Sequence, residues 1–183
     1  MNSKTKRLIF DSILFCILII IDRVTKSFAV DTLKENGPIS IIDNVLELYY
    51  LPNGNTGAAF GMLEGHRILF LVIAFIVVAA IIYLVVNMPE DKKYRSTEIL
   101  LIFIAAGGVG NMIDRLISGY VVDFIYISCI NFPIFNVADM YVSICTTVLA
   151  IIVLFVLKED DYALLEESFT APFKKRSGKK GQQ

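Results

Sequence analysis

Two aspartates form the pair of side chains in this sequence that is best suited to acid–base chemistry. Asp123 and Asp139 lie on either side of a short connection of 15 residues, so their carboxylates can meet in the fold. Two facing carboxylates do not easily both ionise, so one holds a proton while the other activates water. Asn136 precedes Asp139 by three residues, which places an amide beside that carboxylate on a helix. Such a pair can hydrolyse an amide without a metal or a covalent nucleophile.

Further polar residues occur in pairs with helical spacing. Asp22 and Lys26 are four residues apart, as are Asn111 and Arg115, so the members of each pair share one helix face. Arg23, by contrast, is interpreted as a side chain that only reaches toward the headgroups from a helix end.

Other catalytic chemistries lack their residues. His66 is the only histidine, which argues against a Ser-His-Asp triad or a histidine-based zinc site. Gly107 to Gly110 does not match a phosphate-binding loop, and its small residues favour close helix packing. The three cysteines are too scattered for a disulfide framework, and the net charge of −1 provides no basic field for nucleic acid. We therefore expect no metal, no cofactor and no nucleic-acid partner.

The elements that position these residues are predicted to lie in a membrane. Hydrophobic residues make up 56% of the chain and charged residues 19%, with a mean hydropathy of +0.66. The apolar residues are concentrated in blocks of about 20, the length needed to cross a bilayer. The sequence predicts an all-α integral membrane protein, a four-helix transmembrane bundle with a small extracytoplasmic β-rich element. The predicted spans are about 8–30, 68–86, 99–117 and 134–157.

The distribution of Lys and Arg predicts the orientation. Three precede the first span, three lie in 87–98 and six in the tail 158–183, whereas 31–67 has two and 118–133 has none. Since Lys and Arg are enriched in cytoplasmic loops, both termini are predicted to be cytoplasmic. The unusual polar residues then lie at the outer boundary, and we expect no charge deep in the inner half of any span.

The two segments outside the spans have different characters. The connection 31–67 contains strand formers between residues 39 and 50, followed by turn residues at 52–55, and predicts a short sheet on the membrane surface. The tail 158–183 mixes an acidic stretch with a basic one, so we predict a mobile cytoplasmic tail whose basic end contacts anionic headgroups.

Five segments of the chain resemble the lipoprotein signal peptidases, also called signal peptidase II. Their order, spacing and position relative to the spans agree with that family over about residues 8–157. The segments are DRVTK (22–26), NTGAAFG (55–61), GGVGNMIDR (107–115), VVDFI (121–125) and FNVAD (135–139).

The resemblance implies an intramembrane aspartic endopeptidase in a bacterial cytoplasmic membrane, with its active site at the outer face. Asp123 and Asp139 would be the catalytic dyad. The substrate would be a diacylglyceryl-modified prolipoprotein, cleaved just before its lipidated cysteine, and a globomycin-type inhibitor is expected to bind. The family positions that line or support the site are matched by Asn55, Gly57, Asn111, Arg115, Asn136 and Ala138. Asp22 and Lys26 match a helix pair that is structural or faces substrate, and Asp114 is interpreted as structural.

A small polytopic transporter or proton channel is the alternative hypothesis. Acidic residues within membranes also mark ion pathways. A pathway would require polar residues through the inner half of the bundle, where this sequence is almost wholly apolar.

Overall fold

The computed structural model describes residues 2–52, 54–57 and 66–180, and of residues 173–180 only the backbone. Part of the predicted NTGAAFG segment, residues 58–61, therefore lies outside the described residues. The helices are α1 (Ser3–Asn36), α2 (Arg67–Asn87), α3 (Arg95–Ile117), α4 (Val137–Ile151) and α5 (Glu159–Lys180). The strands are β1 (Ile39–Ile42), β2 (Leu46–Leu48) and β3 (Ile125–Ile127).

Among the described residues, three helical segments are long and apolar enough to cross a membrane. They are Arg67–Asn87, Lys92–Ile117 and Val137–Val156, the last of which joins α4 to a π-helical segment. Helix α1 has 34 residues, but charged side chains interrupt its apolar sequence. The fold is mostly helical, and three of the four predicted spans meet the criteria of length and composition.

Helix α3 lies at the centre, in contact with α1, α2 and α4. Small residues on α3 allow this approach, because a side chain at Gly107 would meet the backbone oxygen of Ala138 at 2.5 Å. The predicted role of this glycine in close helix packing is thus confirmed. The main apolar core includes Leu18 of α1, Ile81 of α2 and Leu101 of α3.

The predicted β-rich element is a three-stranded antiparallel sheet in the order β1-β2-β3. β1 and β2 come from the predicted strand-forming segment, but β3 comes from the connection between α3 and α4, which the sequence did not predict. Beyond β2, the chain continues beside this connection, since Leu51 N donates to Asp123 O at 3.3 Å. A bridge between Asn55 and Val121 extends the pairing. The sheet thereby joins the two connections that carry Asn55 and Asp123.

A cluster of buried charges that the sequence did not predict lies near the N-terminal end of α1. Asp11 lies in the first predicted span, is 4% exposed and pairs with Arg95 at 2.6 Å. Glu98 is also buried, and accepts contacts from Arg95 at 2.8 Å and Arg7 at 3.2 Å. Ion pairing makes these buried charges tolerable, because each carboxylate has a cationic partner. The pairs join α1 to α3.

The C-terminal tail also differs from the mobile segment that the sequence predicted. Residues Glu159–Lys180 form helix α5, and Asp161 near its start accepts hydrogen bonds from Tyr94 Oη and Lys158 N, both at 2.9 Å. Leu165 and Phe169 pack against the main apolar core. The first half of the tail is therefore part of the folded structure.

Candidate active site

The two aspartates are positioned by different kinds of structure. Asp123 lies in the extended connection before β3 and is 1% exposed, whereas Asp139 is the third residue of α4 and is half-buried. Asn136 caps α4, because its side chain accepts a hydrogen bond from Asp139 N at 3.0 Å. This capping box fixes Asp139 at the first turn of the helix.

Asn136 joins the two carboxylates. Its side-chain Nδ2 donates to Asp123 Oδ1 at 2.6 Å, and its backbone N donates to Asp139 Oδ2 at 3.1 Å. The predicted placement of an amide beside Asp139 is thus confirmed, and the same residue also holds Asp123. The two aspartates are therefore brought to one site through a single intervening residue.

The remaining carboxylate oxygens bind two other amides. Asn55 Nδ2 donates to Asp123 Oδ2 at 2.8 Å, and Asn111 Nδ2 donates to Asp139 Oδ1 at 2.8 Å. Each of the four oxygens thus accepts a hydrogen bond from a neutral N–H group. Neutral donors orient a carboxylate without fixing its charge as an ion pair would, which leaves the pair able to exchange a proton.

The environment of Asp123 raises the pKa of its carboxyl group toward neutrality. Burial, followed by the nearby charge of Asp139, raises the pKa of Asp123 to about 6, against the opposing effect of the hydrogen bonds from Asn55 and Asn136. A carboxyl group whose pKa lies near neutrality is suited to general acid–base catalysis.

A buried ion network on α1 supports the amide of Asn111. The ammonium group of Lys26 contacts Asp22 Oδ2 at 3.0 Å, Asp114 Oδ2 at 2.9 Å and Asn111 Oδ1 at 2.9 Å. Because Lys26 can only donate, the oxygen of Asn111 faces it and the nitrogen faces Asp139. The predicted pairing of Asp22 with Lys26 is confirmed, and Lys26 acts on the site through Asn111.

Ala138 and Asp22 connect α4 to α1 directly. Ala138 N donates to Asp22 Oδ1 at 3.2 Å, and both residues are fully buried. A side chain at Gly110 would meet Asp22 Oδ2 at 2.5 Å, so this approach requires glycine on α3. The contact fixes the start of α4, and with it the position of Asp139.

Arg115 and Gly57 form the other side of the site. Arg115 Nη2 donates to Gly57 O at 3.0 Å, and the guanidinium group lies 4.9 Å from the ring centre of Phe70. Gly57 N in turn donates to Asn55 Oδ1 at 2.9 Å, which orients the Asn55 amide toward Asp123. On its own helix, Arg115 contacts the backbone oxygen of Asn111 at 3.4 Å.

Two residues have a larger part in the site than the sequence indicated. Asp114 accepts contacts from Lys26, from Val122 N at 3.3 Å and from Arg23, so it joins α1, α3 and the segment before Asp123. Arg23 was interpreted as an interface side chain, and its ion pair with Asp114 corrects this interpretation. Asp114 stands next to Arg115 in the sequence as an acidic residue within a predicted span, which was the available signal of its role. Spacing along one helix, however, does not identify a partner such as Arg23 on another helix.

Comparison with known proteins agrees with this arrangement. Residues 14–155 match the family model described as Signal peptidase (SPase) II. The chain is 44% identical to a lipoprotein signal peptidase of Shouchella clausii over 70% of this chain and 82% of that protein. It is 38% identical to a lipoprotein signal peptidase of Streptococcus pneumoniae over 78% of this chain and 91% of that protein.

A solved structure of similar fold is a bacterial membrane enzyme determined by the in meso method at 2.3 Å resolution. Its sequence is 31% identical to this chain, and the two structures superpose with a TM-score of 0.68. The match covers 79% of this chain and 87% of the chain in that structure. The chain therefore belongs to the signal peptidase II family, membrane peptidases that remove the signal peptides of prolipoproteins.

Proposed function

We propose that Asp123 and Asp139 are the catalytic pair of this peptidase and act as general acid and base on one water molecule. The observation that carries the proposal is the bridge through Asn136, whose side chain binds one carboxylate and whose backbone binds the other. The donors from Asn55 and Asn111 complete an arrangement in which both carboxylates are oriented and neither is held by a direct ion pair among the described residues.

The difference in burial assigns a role to each aspartate. Asp123 is the more deeply buried, and its pKa is raised to about 6, so we assign it as the acid of the pair. The half-buried Asp139 takes a proton from water, which attacks the scissile carbonyl carbon. Asp123 donates its proton to the carbonyl oxygen as the tetrahedral intermediate forms. Collapse of that intermediate breaks the C–N bond: Asp139 gives the amine nitrogen the proton that it took from water, and Asp123 takes back a proton from a hydroxyl group of the intermediate, so both residues return to their starting states.

The substrate of this pair is a prolipoprotein that carries diacylglycerol on its cysteine, and cleavage occurs just before that residue. A lipid-modified cysteine holds the adjacent peptide bond at headgroup level. The two aspartates lie beyond the C-terminal end of α3 and at the N-terminal end of α4, next to the sheet. This position suits cleavage of a peptide bond held at headgroup level. Membrane lipids surround the site, and a globomycin-type inhibitor is expected to compete for it.

In the proposed topology, α1 is the first of four spans, at about 8–30, 68–86, 99–117 and 134–157. The charges of α1 at Asp11, Asp22 and Lys26 are buried against neighbouring helices, while the large apolar side chains of α1 are exposed. Those exposed side chains include Ile9, Phe10, Ile13, Ile17, Ile20, Val24 and Phe28. Such a helix presents apolar side chains to lipid although its sequence is interrupted by charges.

The orientation follows from the distribution of Lys and Arg, with both termini cytoplasmic and 31–67 on the outer face. A membrane-impermeant thiol reagent applied to intact cells tests it. Among the native cysteines, Cys129 alone is expected to react, because it is exposed and lies between the aspartates, whereas Cys16 and Cys145 lie within helices. Strong labelling of a cysteine introduced at Lys92 would contradict this orientation.

The catalytic roles are tested with purified protein and a diacylglyceryl-prolipoprotein, without added metal. Asp123→Asn and Asp139→Asn should each lose about 10²- to 10⁴-fold in turnover, because Asn keeps the shape but cannot transfer the proton. The double variant should be little worse than either single one, since the residues act as a unit. Inhibitor binding should persist in all three.

Asp114→Asn is the matched control, because its carboxylate is equally buried but contacts Lys26 and Arg23 rather than the pair. It should lower the free energy of unfolding more than it lowers turnover per folded molecule. Near-normal cleavage by Asp123→Asn or Asp139→Asn would exclude the aspartyl mechanism.

A further inference from the structure

The backbone of Asn55 is held by the segment that leads to Asp123. Asn55 N donates to Val121 O at 2.8 Å, and Val121 N donates to Asn55 O at 2.9 Å. Leu51 N donates to Asp123 O at 3.3 Å. Leu51 and Asn55 are separated by three residues, whereas their partners Asp123 and Val121 are separated by one. The longer side therefore has to bulge between Leu51 and Asn55.

A bulge next to an active site often redirects a side chain. The side chain that follows this bulge is that of Asn55, which donates to Asp123 Oδ2 at 2.8 Å. Within the bulge, Gly54 N donates to Leu51 O at 3.1 Å, and Gly54 has a φ of +67°. Residues with a Cβ atom rarely adopt this conformation, so Gly54 sets the direction in which the chain enters Asn55.

The ring of Tyr120 lies directly on Gly54. A Cβ atom at Gly54 would be 1.9 Å from Tyr120 Cδ2 and 2.5 Å from Tyr120 Cγ. Both distances are far below the roughly 3.5–4.0 Å that is favourable between two carbon atoms. The ring thus occupies the space that a side chain would fill. Since Tyr120 directly precedes Val121, the ring covers the bulge from the segment that pairs with Asn55.

Tyr50 connects Tyr120 to the helical framework. Burial, followed by a hydrogen bond with the side chain of Tyr120, raises the pKa of Tyr50. Tyr50 also packs against an apolar cluster formed by Ala29 and Leu33 of α1 together with Phe124. A continuous set of contacts therefore runs from α1, through the two tyrosines, to the bulge.

We propose that Tyr120 is a positioning residue for catalysis, whose ring holds the bulge at Gly54 in place and thereby keeps the Asn55 amide on Asp123. The inference rests on the proposed catalytic pair, and it concerns a residue that acts on this pair through Asn55. Burial raises the pKa of Asp123, and the hydrogen bond from Asn55 opposes that rise. Displacement of the bulge should therefore raise the pKa of Asp123 further.

Two variants of Tyr120 separate the ring from its hydroxyl group. In purified full-length protein, Tyr120→Ala should lower kcat for a diacylglyceryl-prolipoprotein about tenfold, with little change in KM, as expected for loss of a hydrogen bond to a charged group. The fall of kcat/KM at high pH should begin at a higher pH, as it should in Asn55→Ala. Tyr120→Phe keeps the ring and should retain most of the activity and the parent pH profile. A ring that only stabilised the fold would not change that profile.

A double variant tests whether Tyr120 acts through Asn55. Asn55→Ala/Tyr120→Ala should have the same kcat as Asn55→Ala, because a bulge without the amide has nothing to position. Tyr126→Ala is the matched control, since it removes another half-buried ring of the same region, whose hydroxyl donates to Asn131 at 2.7 Å. This control should leave kcat per folded molecule unchanged.

Hydrogen exchange provides a measurement that does not require activity. In Tyr120→Ala, the backbone amides of Gly54, Asn55 and Val121 should exchange faster than in the parent protein, because their acceptors lie in or opposite the bulge. The amides that pair β2 with β3 should exchange at the parent rate. If Tyr120→Ala fails to fold, Tyr120→Leu, which keeps apolar bulk but has no flat ring, replaces it with the same expectations.

Several results would overturn the proposal. They are unchanged exchange in Tyr120→Ala, a loss in Tyr120→Phe as large as in Tyr120→Ala, and a further loss of about tenfold when Tyr120→Ala is added to Asn55→Ala. Parent-like kcat in Tyr120→Ala, beside an inactive Asp123→Asn, would overturn this proposal alone. Near-normal cleavage by Asp123→Asn would instead overturn the catalytic pair on which it rests.

Discussion

Replacement of Lys26 by methionine tests how the ion network on α1 supports catalysis. Methionine keeps an unbranched side chain of similar length but removes the three donors of the ammonium group. In the structure these donors contact Asp22, Asp114 and Asn111 at 2.9–3.0 Å, and Lys26 is 1% exposed. The substitution therefore affects two buried carboxylates and one amide that binds the catalytic pair.

The expected loss of stability follows from the two carboxylates. Removal of one partner of a buried ion pair costs about 3–5 kcal/mol, because the remaining charge has no compensation. Asp114 keeps its contact with Arg23, whereas Asp22 keeps, among the residues that the structure describes, only the N–H of Ala138. We therefore expect Lys26→Met to lower the free energy of unfolding by about 3 kcal/mol, the lower end of that range.

The expected loss of activity follows from the side-chain amide of Asn111, which Lys26 orients. Lys26 holds the oxygen of Asn111, which directs its nitrogen toward Asp139. A hydrogen bond to a charged group contributes about 1.5–3 kcal/mol, equivalent to about 10- to 100-fold in rate. Asn136 Nδ2 also donates to the Asn111 oxygen, at 3.2 Å, and retains part of the orientation. A decrease of about tenfold in kcat is therefore expected.

A second variant separates the two effects. Lys26→Met/Asp22→Asn removes the uncompensated charge of Asp22, and the Asn oxygen can still accept from Ala138. Stability should recover toward that of the parent protein, whereas kcat should stay low because Asn111 still lacks its lysine. Unfolding in detergent by denaturant and turnover of a diacylglyceryl-prolipoprotein provide the two measurements. Recovery of both quantities in the double variant, or no effect on either in Lys26→Met, would refute this account.

Two further predictions concern the acid and the packing of α3. Because the pKa of Asp123 is raised to about 6, chiefly by burial, and this residue donates a proton, kcat/KM should fall about tenfold per pH unit above about pH 6. A pH–rate profile that rises from about pH 6 to 8 would contradict the assignment. Gly107→Ala should reduce folded yield and thermal stability, because its Cβ would lie 2.5 Å from the backbone oxygen of Ala138. Gly108→Ala should have a smaller effect, because its Cβ would lie 3.3 Å from a methyl group of Val78, which needs to move by only a few tenths of an ångström. Equal stability of the two variants would rule out this packing argument.

Much of the helical framework and of the site was predictable from the sequence, since both depend on local periodicity. Apolar blocks of membrane length predicted the helices, because a helix in lipid satisfies its own backbone hydrogen bonds. Spacings of three and four residues correctly paired Asp22 with Lys26 and Asn136 with Asp139. The strand-forming residues after α1 likewise predicted β1 and β2.

Only the tertiary structure decided which residues meet across the chain. Strand β3, the ion pair of Arg23 with Asp114, and the Asp11–Arg95 contact all join segments that are distant in sequence. The attachment of α5 through Asp161 is of the same kind, because its partners lie in another connection. Spacing along a helix indicates which face a residue occupies, but the neighbour of that face depends on how the helices pack. For that reason the sequence by itself determined the helices and the candidate acids, whereas the packing around α3 determined the hydrogen bonds that turn two aspartates into one site.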